Sequence, residues 1–174
     1  MTTALIVIDL QRGMFDPAQP AHDGEAVLAR VAALLARARA AGVPVLHVRH
    51  DGGAGDPLQR DTPGWTIHPA VAPMGVEPVI DKDRSSAFHG TGLHERLQAG
   101  GIGRLVIAGM QTEFCIDTTC RAAHDLGYAV ALVADGHTTF DTPDLSAAQV
   151  VAHHNRTLRN GGFAELADAA AVVL

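Results

Sequence analysis

The run RLVIAGMQTEFCIDTTC, from Arg104 to Cys120, decides how the rest of the chain is read. Its first half, Leu105 to Ala108, is apolar and stops at Gly109, the pattern of a strand buried on both faces. A short polar turn follows, and Glu113 to Leu126 then reads as a helix closed by Gly127. Strand, turn and helix make one repeat of an α/β chain, and this repeat delivers Cys115 to a helix start. Unpaired amides and the helix dipole at such a place favour a thiolate over a thiol, so Cys115 is a candidate nucleophile. The ordinary alternative for a cysteine is a small buried core residue.

The same alternation runs outward in both directions. Leu5 to Ile8 is a four-residue apolar run ending at Asp9 and reads as a buried strand. From Asp23, an N-cap residue type, to Ala41 the apolar residues Val27, Leu28, Val31, Leu34 and Leu35 fall at helical spacing, and Gly42 closes the segment. Val43 to Val48 is the next strand, which completes a β-α-β unit. Residues 50 to 76 hold too many glycines and prolines for a regular element, and a loop this long in one domain is usually functional. Its Trp65, the only tryptophan, either covers a ligand or pins the loop to the core. Glu77 to Ile80 is a short strand, and Thr91 caps a helix that ends at Gly100-Gly101. Beyond the central repeat come a strand over Ala129 to Ala134, a helix from Asp144 to Leu158, and a sixth strand expected over Ala170 to Val173. The expected architecture is a doubly wound, mainly parallel sheet of five or six strands with helices on both faces, one domain over residues 1–174.

Composition narrows the function. A chain of 174 residues with 47% hydrophobic and 18% charged residues is of ordinary globular make-up, and a net charge of −6 offers no basic face to a nucleic-acid backbone or an anionic membrane. No apolar stretch approaches a membrane span and the N-terminus has no secretory pattern, so a cytoplasmic location is expected. Cys115 and Cys120 would lie roughly 7.5 Å apart along one helix axis, beyond disulfide reach, so both are expected to be free thiols. Lys82 is the only lysine among 13 Lys and Arg side chains. Lysine differs from arginine in being a compact point charge whose pKa can move.

In an open parallel sheet, ligands bind beyond the carboxyl ends of the strands. Asp9 falls there after the first strand, Lys82 after the third and Cys115 after the fourth. A thiol, a carboxylate to take its proton and a cation beside both make a complete set for activating a nucleophile. Such a set favours an enzyme over an idle binding or association module of the same fold.

Val7-Ile8-Asp9-Leu10-Gln11, Lys82 with Ser86-Ala87-Phe88 four residues on, and Gly109-Met110-Gln111-Thr112-Glu113-Phe114-Cys115 resemble the isochorismatase-like cysteine hydrolases. The likeness continues through Thr62-Pro63-Gly64-Trp65 and His153-His154-Asn155, and is greatest to the branch that contains streptothricin hydrolase. The resemblance implies a Cys-Asp-Lys triad: Cys115 as nucleophile, Asp9 as base and then acid, and Lys82 orienting both and stabilising the thiolate. It also implies a cis peptide between Met110 and Gln111, with the amides of Gln111 and Cys115 forming an oxyanion hole. The substrate class would be a small-molecule amide or lactam cleaved at C–N through a thioester. Cys115 argues against the vinyl-ether cleavage of siderophore isochorismatases, which lack the thiol. A homo-oligomer, dimer or tetramer, is expected from the same likeness. Phe15, Trp65, Phe88 and Phe114 are the aromatic candidates for the pocket wall. Nicotinamidases of this superfamily bind a metal through Asp-x-His after the second strand. Here Arg49-His50-Asp51 reverses the order, so neither this segment nor His47 and His68 is expected to hold a metal. No cofactor is expected.

Overall fold

The computed structural model describes all 174 residues. Six strands form one sheet in the order β3-β2-β1-β4-β5-β6, every pair parallel. They are β1 (Thr2–Ile8), β2 (Val45–His50), β3 (Val79–Lys82), β4 (Ile102–Met110), β5 (Ala129–Thr138) and β6 (Glu165–Ala167). The helices are α1 (Gly24–Ala40), α2 (Leu93–Ala99), α3 (Asp117–Asp125) and α4 (Ala147–Asn160). The chain winds from β1 out to β3, returns to lay β4 against the other side of β1, and continues to β6. Parallel crossovers share one hand, so reversing the direction of travel moves the connecting helices to the other face. Leu28, Val31 and Leu35 of α1 accordingly pack with Leu5 and Val7 on one face. Leu93 and Leu97 of α2, Cys120 and Ala123 of α3 and Leu158 of α4 pack with Ile6 and Ile8 on the other. The two-residue period of β1 thus supplies both cores, which is why its run is unbroken in hydrophobicity.

The reversal of strand order lies between β1 and β4, and the two backbones come very close there. Gly109 has φ 137°, and a Cβ on it would stand 1.9 Å from the carbonyl oxygen of Ile8. Only glycine fits this crossing point.

The structure corrects several sequence expectations. β2 and β3 begin two residues later than expected and end at His50 and Lys82, so Lys82 is the last residue of its strand, not a loop residue. Asp23 precedes α1 in a left-handed conformation and makes no side-chain cap. Gly92 takes the capping position of α2, although the Thr91 hydroxyl still accepts a hydrogen bond from Leu93 N at 3.3 Å. The last helix starts at Ala147, because Ser146 and Gln149 form a reciprocal capping box there. The sixth strand is Glu165–Ala167, not Ala170 to Val173. Val172 instead turns into the core beside α1. Burial alone made that segment look like a strand.

Candidate active site

Strand ends bring the reactive groups together. Asp9 follows β1 directly, with φ 53°, a left-handed conformation that aspartate tolerates better than most residues. Lys82 closes β3, two strands away, and its stem spans β2 to reach Asp9. Its Nζ lies 2.7 Å from Asp9 Oδ2, 3.1 Å from Cys115 Sγ and 3.2 Å from His50 Nδ1. Three ammonium protons thus face three partners. Lysine can only donate, so His50 Nδ1 accepts, and the neutral ring carries its proton on Nε2.

Both charged side chains are buried, Asp9 at 2% and Lys82 at 3% exposure. The 2.7 Å contact with Lys82 is a buried ion pair on Asp9 Oδ2, and Oδ1 has no aligned partner. The carboxylate therefore keeps lone pairs free to take a proton. Burial raises the Asp9 pKa, and the Lys82 charge acts against it.

Cys115 is carried by a π turn, Thr112–Ile116, that precedes α3. The single helix expected from Glu113 is in fact this wider turn followed by α3, with Ile116 N reaching back to Gln111 O at 3.1 Å. Turns of this kind recur at functional sites. The Met110–Gln111 peptide is cis. No acceptor within the chain takes the Gln111 N–H, and its carbonyl accepts from Phe114 and Ile116.

Burial first, then the Asp9 charge, pushes the Cys115 thiol up to about 12, with Lys82 acting in the opposite direction. This departs from the thiolate expected at a helix start. A half-buried sulfur facing a carboxylate loses more from desolvation and like charge than it gains from amides and one shared ammonium. Cys115 thus favours the thiol form, with the Asp9 carboxylate beside it.

A cavity of about 360 Å³ opens over the thiol, lined by Asp9, Cys115 and Gln111 at its floor. Met14, Leu58, Phe114 and Phe140 give it apolar wall, and Gln19, His50 and Asp56 give it polar wall. Of the four aromatic candidates only Phe114 lines it. Phe15 packs on His68 with ring centres 5.1 Å apart, and Phe88 stacks on Tyr128 at 5.9 Å. Trp65 is buried under the Arg49 guanidinium, 3.3 Å from its ring centre, with Arg60 at 5.1 Å, so it pins the loop. The other histidines and the acidic residue named beside the second strand also have separate partners. His47 Nε2 meets Glu77 at 3.2 Å, His68 Nδ1 accepts from Ala70 N, and Asp51 pairs with Arg60 at 2.9 Å.

Two supporting networks had no assigned role in the sequence. Gln11, fully buried, donates from Nε2 to the carbonyls of His50 and Trp65, each at 2.9 Å, and accepts from His50 N at 2.8 Å. One amide thus holds the end of β2 and the Trp65 loop against β1. Its signal was a polar residue just past an apolar run. Beneath the nucleophile turn, Thr112 Oγ1 meets His137 Nδ1 at 2.8 Å, and His137 Nε2 meets Asn155 Oδ1 at 2.9 Å. Asn155 Nδ2 donates to Ala134 O at 3.0 Å. Asn155 accepts from Nε2, so Nδ1 must accept from Thr112, and burial lowers the His137 pKa to about 4.

Comparison with known proteins agrees with this architecture. Residues 3–170 match the isochorismatase domain. The chain is 39% identical over 140 residues to a streptothricin hydrolase of Streptomyces noursei, covering 80% of this chain and 51% of that protein, so it spans about half the length of that relative. The crystal structure of an isochorismatase from Pseudomonas putida superposes with a TM-score of 0.91 at 32% identity, covering 98% of this chain and 90% of the other. A cysteine hydrolase from Pseudomonas syringae superposes with a TM-score of 0.89 at 29% identity, covering 97% and 89%.

Proposed function

The chain belongs to the isochorismatase family of hydrolases, and within it we propose that the protein is a cysteine hydrolase that opens a C–N amide or lactam bond of a small molecule. The observation that carries this reading is the contact of Lys82 Nζ with Asp9 at 2.7 Å and with Cys115 Sγ at 3.1 Å, the carboxylate and the thiol both lining one cavity. With the thiol held up at about 12, attack needs a base that acts as the sulfur–carbon bond forms, and Asp9 has free lone pairs for it.

The steps follow from that placement. Cys115 sulfur adds to the carbonyl carbon while its proton passes to Asp9, and the carbonyl π pair becomes an oxyanion. The amides of Gln111 and Cys115 are the proposed oxyanion donors, each worth about 2.7–4 kcal/mol in such roles. Collapse breaks the C–N bond, the Asp9 proton leaves on the amine, and a thioester remains. Water then adds to the thioester, giving its proton to Asp9, and the C–S bond breaks to release the acid. Cys115 recovers its proton from Asp9. Lys82 keeps its charge throughout and holds Asp9 and sulfur in register. A homo-oligomer belongs to the same proposal, and sedimentation of the purified chain tests it.

A panel of primary amides and lactams assayed for released amine tests the chemistry. Wild type should turn over at least one, with an acyl adduct on Cys115 seen by intact mass after rapid acid quench. Cys115→Ala should lose turnover at near-unchanged stability, and Cys120→Ala should retain it. Full activity in Cys115→Ala would end the covalent reading.

A further inference from the structure

We propose, resting on the amide-hydrolase reading above, that the cavity selects substrates carrying a cationic group near the scissile carbonyl, and that Asp56 is the residue that selects them. The charges on the cavity wall are unbalanced. Two carboxylates, Asp9 and Asp56, line it, and no Lys or Arg does. Asp9 is neutralised by Lys82 at 2.7 Å. Transfer of the thiol proton to Asp9 leaves this group of three side chains at the same total charge, so neither resting nor reacting does it offset Asp56. Asp56 takes part in no ion pair. His50, the remaining titratable side chain on the wall, is held neutral by burial and by Lys82, and so brings no positive charge.

Asp56 is solvent-exposed on the cavity wall, and a local turn orients one of its oxygens. Asp56 Oδ1 accepts from Leu58 N at 2.7 Å, which leaves Oδ2 without a partner in the chain. The carboxylate lies so close over Gly52 that a Cβ there would stand 2.1 Å from Oδ1, so residue 52 must lack a side chain for Asp56 to sit where it does. Leu58, which the same turn orients, contributes apolar wall beside it. A substrate with an ammonium or guanidinium on a short apolar arm meets both features. One with a carboxylate or phosphate at that place meets uncompensated negative charge, on a chain whose net charge is already −6.

Charge selectivity at Cys115 can be read without turnover. Cys120 is fully buried, so methanethiosulfonates label Cys115 alone. The rate ratio of the cationic 2-aminoethyl reagent to the anionic 2-sulfonatoethyl reagent, divided by the ratio for free cysteine in the same low-salt buffer, should be about tenfold, as expected for one charge in a partly screened cleft. Asp56→Asn, whose Oδ1 can still accept from Leu58 N, should bring that ratio back to about one, and Asp56→Lys should invert it. In a second arm, 6-aminohexanamide, hexanamide and adipic acid monoamide form a matched set. The cationic amide should have the highest kcat/KM and the anionic the lowest, and the spread should collapse in Asp56→Asn. A wild-type labelling ratio near that of free cysteine, or one unmoved in Asp56→Asn, overturns the proposal. Asp56-dependent labelling with no amide hydrolysed would instead leave selectivity standing and remove the amide reading. Hydrolysis with anionic and cationic amides equal would do the reverse.

Discussion

Replacing Lys82 with methionine keeps most of the stem and removes the ammonium, which isolates the work of one charge. Asp9 would be left at 2% exposure with no cation in contact. Breaking a buried ion pair by deleting one member costs about 3–5 kcal/mol, because the survivor remains buried and charged. At about 2–4 °C per kcal/mol for a chain of this size, the melting temperature at pH 8 should fall by about 6–20 °C. The loss should depend on pH. Burial already raises the Asp9 pKa in the wild type, with Lys82 acting against it, so deletion of Lys82 raises it further. A carboxyl whose folded pKa is raised contributes stability that is lost as pH rises through that value. The deficit of Lys82→Met should therefore be small at pH values below the wild-type folded pKa of Asp9, where both proteins hold the carboxyl protonated, and should grow by about 1.4 kcal/mol per pH unit above that value until the variant's higher folded pKa is passed. Urea denaturation from pH 4 to 9 of wild type, Lys82→Met and Asp9→Asn/Lys82→Met would measure this. The double variant should recover most of the stability at pH 8, since no buried charge remains. Equal stability of wild type and Lys82→Met at pH 8, or a double variant no better than the single, would refute a coupled buried pair.

Two further outcomes are expected. His137 is neutral in the fold with its pKa lowered from 6.5 to about 4, so it adds stability that is complete above about pH 6.5 and is lost as pH falls to 4, about 3 kcal/mol in all. Protonated Nδ1 could no longer accept from Thr112; His137→Gln should flatten this limb of a urea-stability profile, and an unchanged limb would place the acid sensitivity elsewhere. Dialysis against EDTA should leave amide turnover and melting temperature within error, because Lys82 already occupies His50 Nδ1 and His47 and His68 have their own partners. Activity lost and restored by zinc, iron or manganese would make these histidines ligands.

Much of the candidate site could be read in order along the chain. Asp9 and Cys115 each follow an apolar run that could only be a buried strand, and Lys82 stood out as the one lysine. Apolar periodicity is a local property, so the strands before Asp9 and Cys115 and the helices between strands followed from neighbouring residues. The aromatic wall did not. Trp65, Phe15 and Phe88 are aromatic for reasons of packing against Arg49, His68 and Tyr128, and composition cannot tell a ring that covers a ligand from one that pins a loop. Asp56 passed unnoticed for the opposite reason, since a carboxylate among loop glycines looks like any solvated turn.

The sequence by itself determined the alternation of strand and helix, the two-sided burial of β1, and which residues could carry a thiol, a base and a cation. The tertiary structure decided how those groups act on one another. Strand order placed β4 against β1 and brought Lys82 across β2, and only then did a thiol meet a buried carboxylate. That meeting keeps Cys115 a thiol at rest, against what its place near a helix start favours, because desolvation and the charge of Asp9 depend on residues more than a hundred positions away. Charge near a sulfur is a property of space, and it comes into being with the fold.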